Sequence, residues 1–437
     1  MSAQITILSG VSRIDEPISI ELSGFTPGAS VEVTSVSRHS DQTQWQARAT
    51  FVADTAGQVN LATAQPTSGD YTGVDGAGLI WAQTLDAATP PQPINDATAP
   101  IVTTLTAKDS AGLTATATLT RYYRSDAITR REVRENGLVG TLFTPTTPGP
   151  HPAIIYFNGS GGGINETRAA LWAQQGYAAL ALGYFGAPGL PSHISGTPLE
   201  YFEKGLQWVR DNVQPAGGFI AVSGQSRGGE LSLLLAATYP DLVSAVIAYV
   251  PSSVVHSVLA AGTPGESRYA TAWTKDGQPL ATIWDNNTRQ DGWDRVDQSA
   301  EPRRQAQPFV DAQTNTQAYA AARIPVERIQ GPVLLISGGD DGYWPSSDYA
   351  RDVAQQLRAA NHPHAVEHLD YPGAGHSIQA PHVPATQIAK AHAVSGVILT
   401  AGGTPAANAQ ANADSWAKSL TFLAEAVKKA NATTTAS

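Results

Sequence analysis

The sequence predicts two domains of different classes, an all-β domain over residues 1–125 and an α/β domain with a mostly parallel sheet over residues 126–437. The first prediction rests on short segments in which apolar and polar residues alternate between turn-forming stretches. The second rests on apolar strands that alternate with helical segments from about residue 136 onward. The chain has 437 residues, of which 42% are hydrophobic and 15% charged, which is enough for two or three folded domains.

The N-terminal segment contains strand-like stretches that are separated by TPGAS, SDQTQ and DTAGQ. The stretches are PISIELSGF, SVEVTSVSR, WQARATFVA and TATATLTRYY. Several short strands at this spacing predict a β-sandwich. Its serines and threonines are typical of solvent-facing strand positions, so we expect a structural or substrate-shaping role for this domain and no catalytic one.

The second segment reads as strand, helix and strand in regular succession. The predicted strands are AIIYFN, YAALALGYF, GFIAVSG, VSAVIAYV, GPVLLISGG and AVEHLDY. The predicted helices are NETRAALWAQQG, PLEYFEKGLQWVRDNV, ELSLLLAATYP and SSDYARDVAQQLRAA. Continuous apolar strands of this kind indicate a sheet that helices cover on both faces. The tail DSWAKSLTFLAEAVKKAN predicts a closing helix with Trp416, Leu420, Leu423 and Val427 on one face, after a flexible AGGTPAANAQANA.

Ser226 lies in Gly224-Gln225-Ser226-Arg227-Gly228, between an apolar strand and a helix. This is the G-x-S-x-G pattern in the strand-turn-helix context that gives it catalytic meaning. A sharp turn there forces the serine into strained backbone geometry, and small residues two positions before and after it avoid a collision. We therefore predict that Ser226 is a nucleophile, with an ordinary turn serine as the alternative.

A serine nucleophile needs a base, and the base needs an acid that orients it. In an α/β-hydrolase these follow in the order serine, acid and histidine, in loops after later strands. The stretch GPVLLISGGDDGYWP ends a strand at Asp340 and Asp341. We prefer Asp341, because the carboxylate usually lies about four residues before a proline in such loops. Asp340 is then a turn residue that supports the site.

The predicted base is His376, in the PGAGHS that follows the strand AVEHLDY. His256, after the strand VIAYV, and His382 are the nearest competitors for this role. Surface or loop positions are the ordinary alternative for each of these histidines.

The oxyanion hole is predicted from two segments. The turn after Ser226 aims the backbone N–H of Arg227 and the start of a helix at an attacked carbonyl oxygen. The loop FNGSGGG supplies a second donor, for which we predict Ser160 or Gly161. This loop lacks the lysine of a phosphate-binding P-loop and the G-x-G-x-x-G spacing of a dinucleotide site.

Composition excludes several classes of function. The chain has no cysteine, so disulfides, thiolate metal sites and a cysteine nucleophile are unavailable. Acyl transfer through a serine nucleophile and a histidine base requires no metal or organic cofactor, so we expect none. A net charge of -10 without a basic block argues against nucleic-acid binding. No long apolar run and no signal-peptide pattern is present, so we expect no membrane partner and a cytoplasmic location.

These motifs resemble the acyl-CoA thioesterase and bile acid-CoA:amino acid N-acyltransferase family. The resemblance covers nearly the whole chain and includes DEPISIELSGFTPG, GAGLIWA, RREVRENGLVGTLFTP, FNGSGGG, GQSRGGELSLLLA, IPVERIQGPVLLISGGDDGYWPS and YPGAGHSI. It implies an immunoglobulin-like N-terminal domain before an α/β-hydrolase domain, with Ser226, Asp341 and His376 as the triad. The C-terminal TTTAS lacks a peroxisomal tripeptide, and the chain resembles a bacterial cytoplasmic member of the family.

The resemblance implies a small-molecule acyl thioester or ester as substrate. The N-acyltransferase branch resembles a version with a cysteine nucleophile, so serine here favours hydrolysis. A carboxylesterase or lactone hydrolase and a catalytically silent binding protein are the alternatives. The polar segment 273–307 could cover the substrate. Four basic residues could meet coenzyme A phosphates, each with an ordinary ion pair as the alternative: Arg168, Arg227, Arg303 and Arg304.

Overall fold

The computed structural model describes residues 2–288 and 301–436. The chain forms two compact units. The first comprises Met1–Ser125, Gln379–Gln387 and Thr404–Asp414. The second comprises Asp126–Ile378, Ile388–Gly403 and Ser415–Ser437. Part of the predicted polar insertion, residues 289–300, lies outside the described residues.

Residues 2–125 of the first unit contain ten strands and one short helix, α1 (Gly78–Trp81). The strands are β1 (Gln4–Ile7), β2 (Val11–Arg13), β3 (Ile20–Ser23), β4 (Ser30–Arg38), β5 (Gln44–Val52), β6 (Val59–Asn60), β7 (Ser68–Gly69), β8 (Thr84–Leu85), β9 (Ile101–Asp109) and β10 (Thr114–Tyr122). They form one sheet in the order β1-β3-β6 and another in the order β2-β10-β9-β4-β5-β7, with β8 beside β5. The predicted all-β character of this segment is confirmed.

The alternation of apolar and polar residues along the strands explains which side chains form the core of the first unit. In β4 buried residues recur at every second position, beginning with Val31 and Val33, and the intervening side chains are more exposed. Phe51 of β5 and Leu105 of β9 are fully buried and belong to the same apolar cluster. A strand with one buried face reads as alternating apolar and polar residues, and this pattern made the strands visible in the sequence.

The second unit contains a mixed eight-stranded sheet. Its strands are β11 (Ile128–Val133), β12 (Val139–Pro145), β13 (Ala153–Phe157), β14 (Ala178–Gly183), β16 (Ile220–Gln225), β17 (Ala245–Tyr249), β20 (Val333–Gly338) and β21 (Val366–Tyr371). Their order is β11-β12-β14-β13-β16-β17-β20-β21. From β14 to β21 all neighbours are parallel, whereas β12 is antiparallel to both of its neighbours. The predicted α/β-hydrolase fold is confirmed.

Short strands complete the second unit: β15 (Thr197–Pro198), β18 (Trp273–Lys275), β19 (Gln278–Pro279), β22 (Ala389–Ala391) and β23 (Ile398–Thr400). Its helices include α2 (Glu166–Gln174), α3 (Leu199–Trp208), α4 (Arg227–Thr238), α5 (Ala306–Gln313), α6 (Thr316–Ala322) and α7 (Ser346–Ala359). Helix α4 is buried on all sides from Arg227 to Ala237, which agrees with its nearly continuous apolar sequence.

The C-terminal helix α8 spans Pro405–Ala436 and begins well before the predicted start. The prediction of a flexible segment through residue 413 is therefore wrong. The Thr404 hydroxyl accepts from the backbone N–H of Ala407 at 3.2 Å, and Pro405 follows at the first helical position. A threonine N-cap followed by proline is a helix start signal, and the alanines that follow have high helix propensity.

The described parts of segment 273–307, residues 273–288 and 301–307, include the short strands β18 and β19 and the start of helix α5. Among its described residues, Trp273, Ile283 and Trp284 are fully buried. Within residues 2–288 and 301–436, no helix combines the length and apolar character that crossing a membrane requires.

Candidate active site

Ser226 occupies a strained turn between strand β16 and helix α4. Its backbone has φ 59° and ψ -119°, a conformation that side-chain-bearing residues rarely adopt. A Cβ at Gly224 would lie 2.4 Å from the Gly228 carbonyl oxygen, and one at Gly228 would lie 2.4 Å from that of Phe157. Both glycines of the motif are thus required sterically, as predicted.

The start of α4 leaves backbone donors available beside this serine. The N–H of Ser226 donates to the Tyr249 carbonyl at 2.8 Å, and the first helical bond runs from the N–H of Glu230 to the Ser226 carbonyl at 3.0 Å. The N–H of Arg227 therefore belongs to the first helical turn, whose donors have no carbonyl partner within the helix. Its position and the helix dipole both favour an anion here.

Asp341 and His376 are joined directly. His376 Nδ1 lies 2.8 Å from Asp341 Oδ2, and both side chains are buried. The other oxygen, Asp341 Oδ1, accepts from the backbone N–H groups of Tyr343 at 2.8 Å and Trp344 at 3.2 Å. With its carboxylate fixed by two amides, Asp341 can hold the imidazole in the tautomer that carries its proton on Nδ1.

The His376 ring is held in place from two further directions. Tyr343 stacks on it with 4.5 Å between ring centroids, and the amide of Gln225 donates to the His376 carbonyl at 3.0 Å. Gln225 precedes Ser226, so this bond ties the histidine loop to the nucleophile turn. His376 Nε2 is buried without a hydrogen-bond partner in the described part of the chain, and no bond from it to Ser226 is formed.

The competing residues lie in different surroundings. Asp340 is half exposed, pairs with Arg304 at 2.8 Å and accepts from the N–H of Gly403 at 2.9 Å. His256 is fully buried, and neither ring nitrogen has a partner among the described residues. Burial and the charge of Arg227 lower the pKa of His256 well below its usual 6.5. His382 belongs to the first unit, where burial lowers its pKa to about 4.

The glycine loop, FNGSGGG at residues 157–163, begins at the end of β13, and its Gly159 lies close to Ser226. A Cβ built there would lie 3.4 Å from Ser226 Cβ and 3.9 Å from Ser226 Oγ. Ser160 and Gly161, the predicted donors, follow directly, and Ser160 Oγ lies 2.9 Å from His392 Nε2. Sequence reasoning named neither Gly159 nor His392. Glycine-rich composition could have indicated Gly159, whereas His392 lies in a segment without a recognised motif.

Two of the arginines considered for phosphate binding, Arg168 and Arg227, have buried side chains that contact other protein groups, so that interpretation of their side chains is wrong. The Arg227 guanidinium donates to both carboxylate oxygens of Glu230 at 3.1 and 3.0 Å, and to the carbonyls of His256 at 3.1 Å and Ser257 at 2.8 Å. Arg168 lies over the rings of Tyr156, Tyr249 and Trp416, with 4.9 Å to the Tyr249 centroid. The half-exposed Arg304 pairs with Asp340.

Glu230→Gln is expected to destabilise the protein by about 3–5 kcal/mol, because it leaves the buried charge of Arg227 without its counterion. Glu230 is fully buried and also accepts from the Trp273 indole at 2.8 Å. Glu327→Gln is the matched control, since its 2.8 Å pair with Arg323 is partly exposed and worth less than about 1 kcal/mol. Urea denaturation measures both variants. Equal effects on the free energy of unfolding would contradict the prediction.

Comparison with known proteins gives two matching family models and several related enzymes. The family model described as BAAT / Acyl-CoA thioester hydrolase C terminal matches residues 197–429, and the one described as Acyl-CoA thioester hydrolase/BAAT N-terminal region matches residues 15–135. Acyl-coenzyme A thioesterase 1 of Mus musculus is 32% identical over 425 residues, which cover 95% of this chain and 94% of that protein. Acyl-coenzyme A thioesterase 2, mitochondrial, of Mus musculus is 32% identical over 429 residues, which cover 95% and 87%.

The human protein named acyl-coenzyme A thioesterase 1 is 30% identical over 424 residues, which cover 94% of this chain and 93% of that protein. The matches extend across both compact units, and they confirm the resemblance found in the sequence. This chain belongs to the acyl-CoA thioester hydrolase and bile acid-CoA:amino acid N-acyltransferase family.

Proposed function

We propose that this protein hydrolyses acyl-CoA thioesters to a free acid and coenzyme A, with Ser226, His376 and Asp341 as its catalytic triad. The observation that carries the proposal is the 2.8 Å bond between His376 and Asp341, in a loop that Gln225 ties to the strained turn of Ser226. Membership of the family supports the choice of a small-molecule acyl thioester as substrate.

Acylation of the serine is the first half of the reaction. With its proton on Nδ1 and directed at Asp341, His376 presents the Nε2 lone pair that accepts the proton of Ser226. Ser226 Oγ attacks the thioester carbonyl, and the carbonyl electrons move to the oxygen. Backbone N–H groups of Arg227 and of the Gly159–Gly161 loop stabilise this oxyanion. Collapse of the tetrahedral intermediate breaks the carbon–sulfur bond, and the thiolate of coenzyme A takes the proton from His376.

Deacylation repeats these steps with water as the nucleophile. His376 removes a proton from water, the hydroxide attacks the acyl-serine carbonyl, and the same donors hold the second oxyanion. Collapse expels Ser226 Oγ, which recovers its proton from His376. The acyl group leaves as a free carboxylic acid.

A substrate panel tests the proposed thioester specificity. We expect hydrolysis of a medium-chain or long-chain acyl-CoA, with little amide formed when glycine or taurine is added, because serine replaces the cysteine of the transferase branch. The assay measures free thiol and amide product on acyl-CoAs, p-nitrophenyl esters and lactones, with Ser226→Ala as the blank.

Two results of the panel would overturn this proposal. If kcat/KM for an ester exceeded every acyl-CoA value by about a hundred-fold, the protein would be a carboxylesterase, since about 2.7 kcal/mol of transition-state binding would then favour the oxygen ester. Amide as the dominant product would make it an N-acyltransferase.

A further inference from the structure

A second histidine, His392, lies against the glycine loop of the candidate active site. It follows strand β22 and begins the loop 392–397, which its own backbone closes: its N–H donates to the Val397 carbonyl at 2.9 Å and its carbonyl accepts from Gly396 at 2.8 Å. Its side chain is buried, with Nε2 2.9 Å from Ser160 Oγ. Strands β22 and β23 pair antiparallel and form a hairpin with the loop 392–397 at its tip. A Cβ at Gly161 would lie 3.5 Å from the Cβ of Ala393, so the tip of this hairpin also packs on the glycine that follows Ser160.

Hydrogen bonding determines which ring nitrogen of His392 carries the proton. The backbone N–H groups of Val394 and Ser395 both point at Nδ1, each at 3.3 Å, so Nδ1 presents its lone pair. Burial and the charges of Lys390 and Arg227 lower the pKa of His392 to about 4, so the ring is neutral at pH 7. A neutral imidazole with an unprotonated Nδ1 carries its proton on Nε2. His392 is therefore the donor to Ser160 Oγ.

Most other hydrogen bonds of the glycine loop lie at its ends or join its own residues to one another. Its flanks have bonds of their own: the Tyr184 hydroxyl donates to the Asn158 carbonyl at 2.7 Å, and the N–H of Gly163 donates to the Phe185 carbonyl at 2.8 Å. Between these ends, the N–H of Gly162 donates to the Gly159 carbonyl at 3.1 Å and the Asn158 amide donates to the Gly162 carbonyl at 2.5 Å, but both bonds join residues of the loop to one another. The bond from His392 to Ser160 joins the middle of the loop to a closed hairpin.

We propose that His392 is a positioning residue: its Nε2–H holds Ser160, and with it the backbone N–H groups of Gly159–Gly161, in place around the oxyanion. The bond also leaves the Ser160 hydroxyl proton free for another acceptor in the site. This inference rests on the proposed function, because it concerns the same site and the same oxyanion.

Two substitutions test the two ring nitrogens of His392 separately, since each keeps the hydrogen bonding of only one of them. In His392→Asn the side-chain oxygen takes the place of Nδ1, so it still accepts from Val394 and Ser395 but cannot reach Ser160. In His392→Gln the amide nitrogen takes the place of Nε2 and donates to Ser160, whereas the Nδ1 acceptor is lost. We expect His392→Asn to lower kcat about 100-fold with KM unchanged, since misplacing catalytic donors by about 1 Å has a cost of this size. We expect His392→Gln to recover most of the lost rate and to have the lower melting temperature.

Ser160→Ala, alone and combined with His392→Asn, tests whether the two residues act together. We expect the double variant to be no slower than the slower single variant. Fluorophosphonate inactivation rates should follow the same ranking, because phosphonylation of Ser226 uses the same oxyanion donors. In the parent protein, the ¹⁵N shifts of the His392 imidazole should report protonation on Nε2.

Several results would overturn this inference. The first is a kcat of His392→Asn within about threefold of the parent. The second is an equal loss of kcat in His392→Asn and His392→Gln. The third is a double variant whose loss of kcat equals the product of the losses in Ser160→Ala and His392→Asn. Failure of the proposed function looks different. A parent protein that reacts with the fluorophosphonate but not with acyl-CoA would refute the thioesterase assignment, and the inactivation rates of the two His392 variants would still decide the role of His392.

Discussion

Ser226→Ala is expected to lower kcat on any accepted acyl-CoA or ester by about a million-fold, leaving only substrate binding and oxyanion stabilisation. The physical reason is that no acyl-enzyme can form without the Ser226 Oγ. Thiol release followed over long incubations measures the residual rate, and labelling with a fluorophosphonate probe measures loss of the reactive serine.

Ser223→Ala is the matched control. Ser223 lies in strand β16, three residues before the nucleophile, and is fully buried. Its hydroxyl has no hydrogen-bond partner among the described residues, so alanine removes no bond there. The control variant should retain activity and probe labelling close to those of the parent. Activity of Ser226→Ala within about tenfold of the parent would refute the assignment of the nucleophile.

The nucleophile turn could be predicted because its requirements are local. Gly224 and Gly228 would collide with neighbouring backbone if either carried a Cβ, and both lie within two residues of Ser226. Order along the chain then extended the prediction to His376 and to an acid at Asp340 or Asp341, and the distance to Pro345 favoured Asp341. Parallel strands end at the same edge of a sheet, so the loops after β16, β20 and β21 converge there without any direct signal of contact in the sequence.

Other features depend on contacts between distant segments and left little local signal. The pairing of His392 with Ser160 joins residues that are 232 positions apart, and His392 lies in no motif that would indicate a partner. The contacts of the Arg227 side chain are another feature with little local signal. Its charge suggested a phosphate ligand, but burial beside Glu230 engages the guanidinium within the core. Both outcomes depend on packing, which composition and spacing do not specify.

Asp341→Asn is expected to lower kcat by roughly ten-thousand-fold, because it would place the imidazole in the wrong tautomer. Asp341 Oδ1 accepts from the N–H groups of Tyr343 and Trp344, so the oxygen of an asparagine amide would remain on that side. The amide NH₂ would then face His376 Nδ1, where two donors would oppose each other. The ring would move its proton to Nε2 to avoid this, and it could no longer accept the proton of Ser226.

Asp340→Asn is the paired variant that tests the choice between adjacent carboxylates. Asp340 contacts Arg304 and the N–H of Gly403, and its side chain is half exposed. Its replacement removes a partly solvated ion pair and leaves the bond between His376 and Asp341 intact, so kcat should stay within about a hundred-fold of the parent. Steady-state kinetics of both variants on one substrate give the ranking. A larger loss in Asp340→Asn than in Asp341→Asn would mean that Asp340 orients His376. The carboxylate that orients this histidine fixes its tautomer, so its replacement must cause the larger loss of kcat.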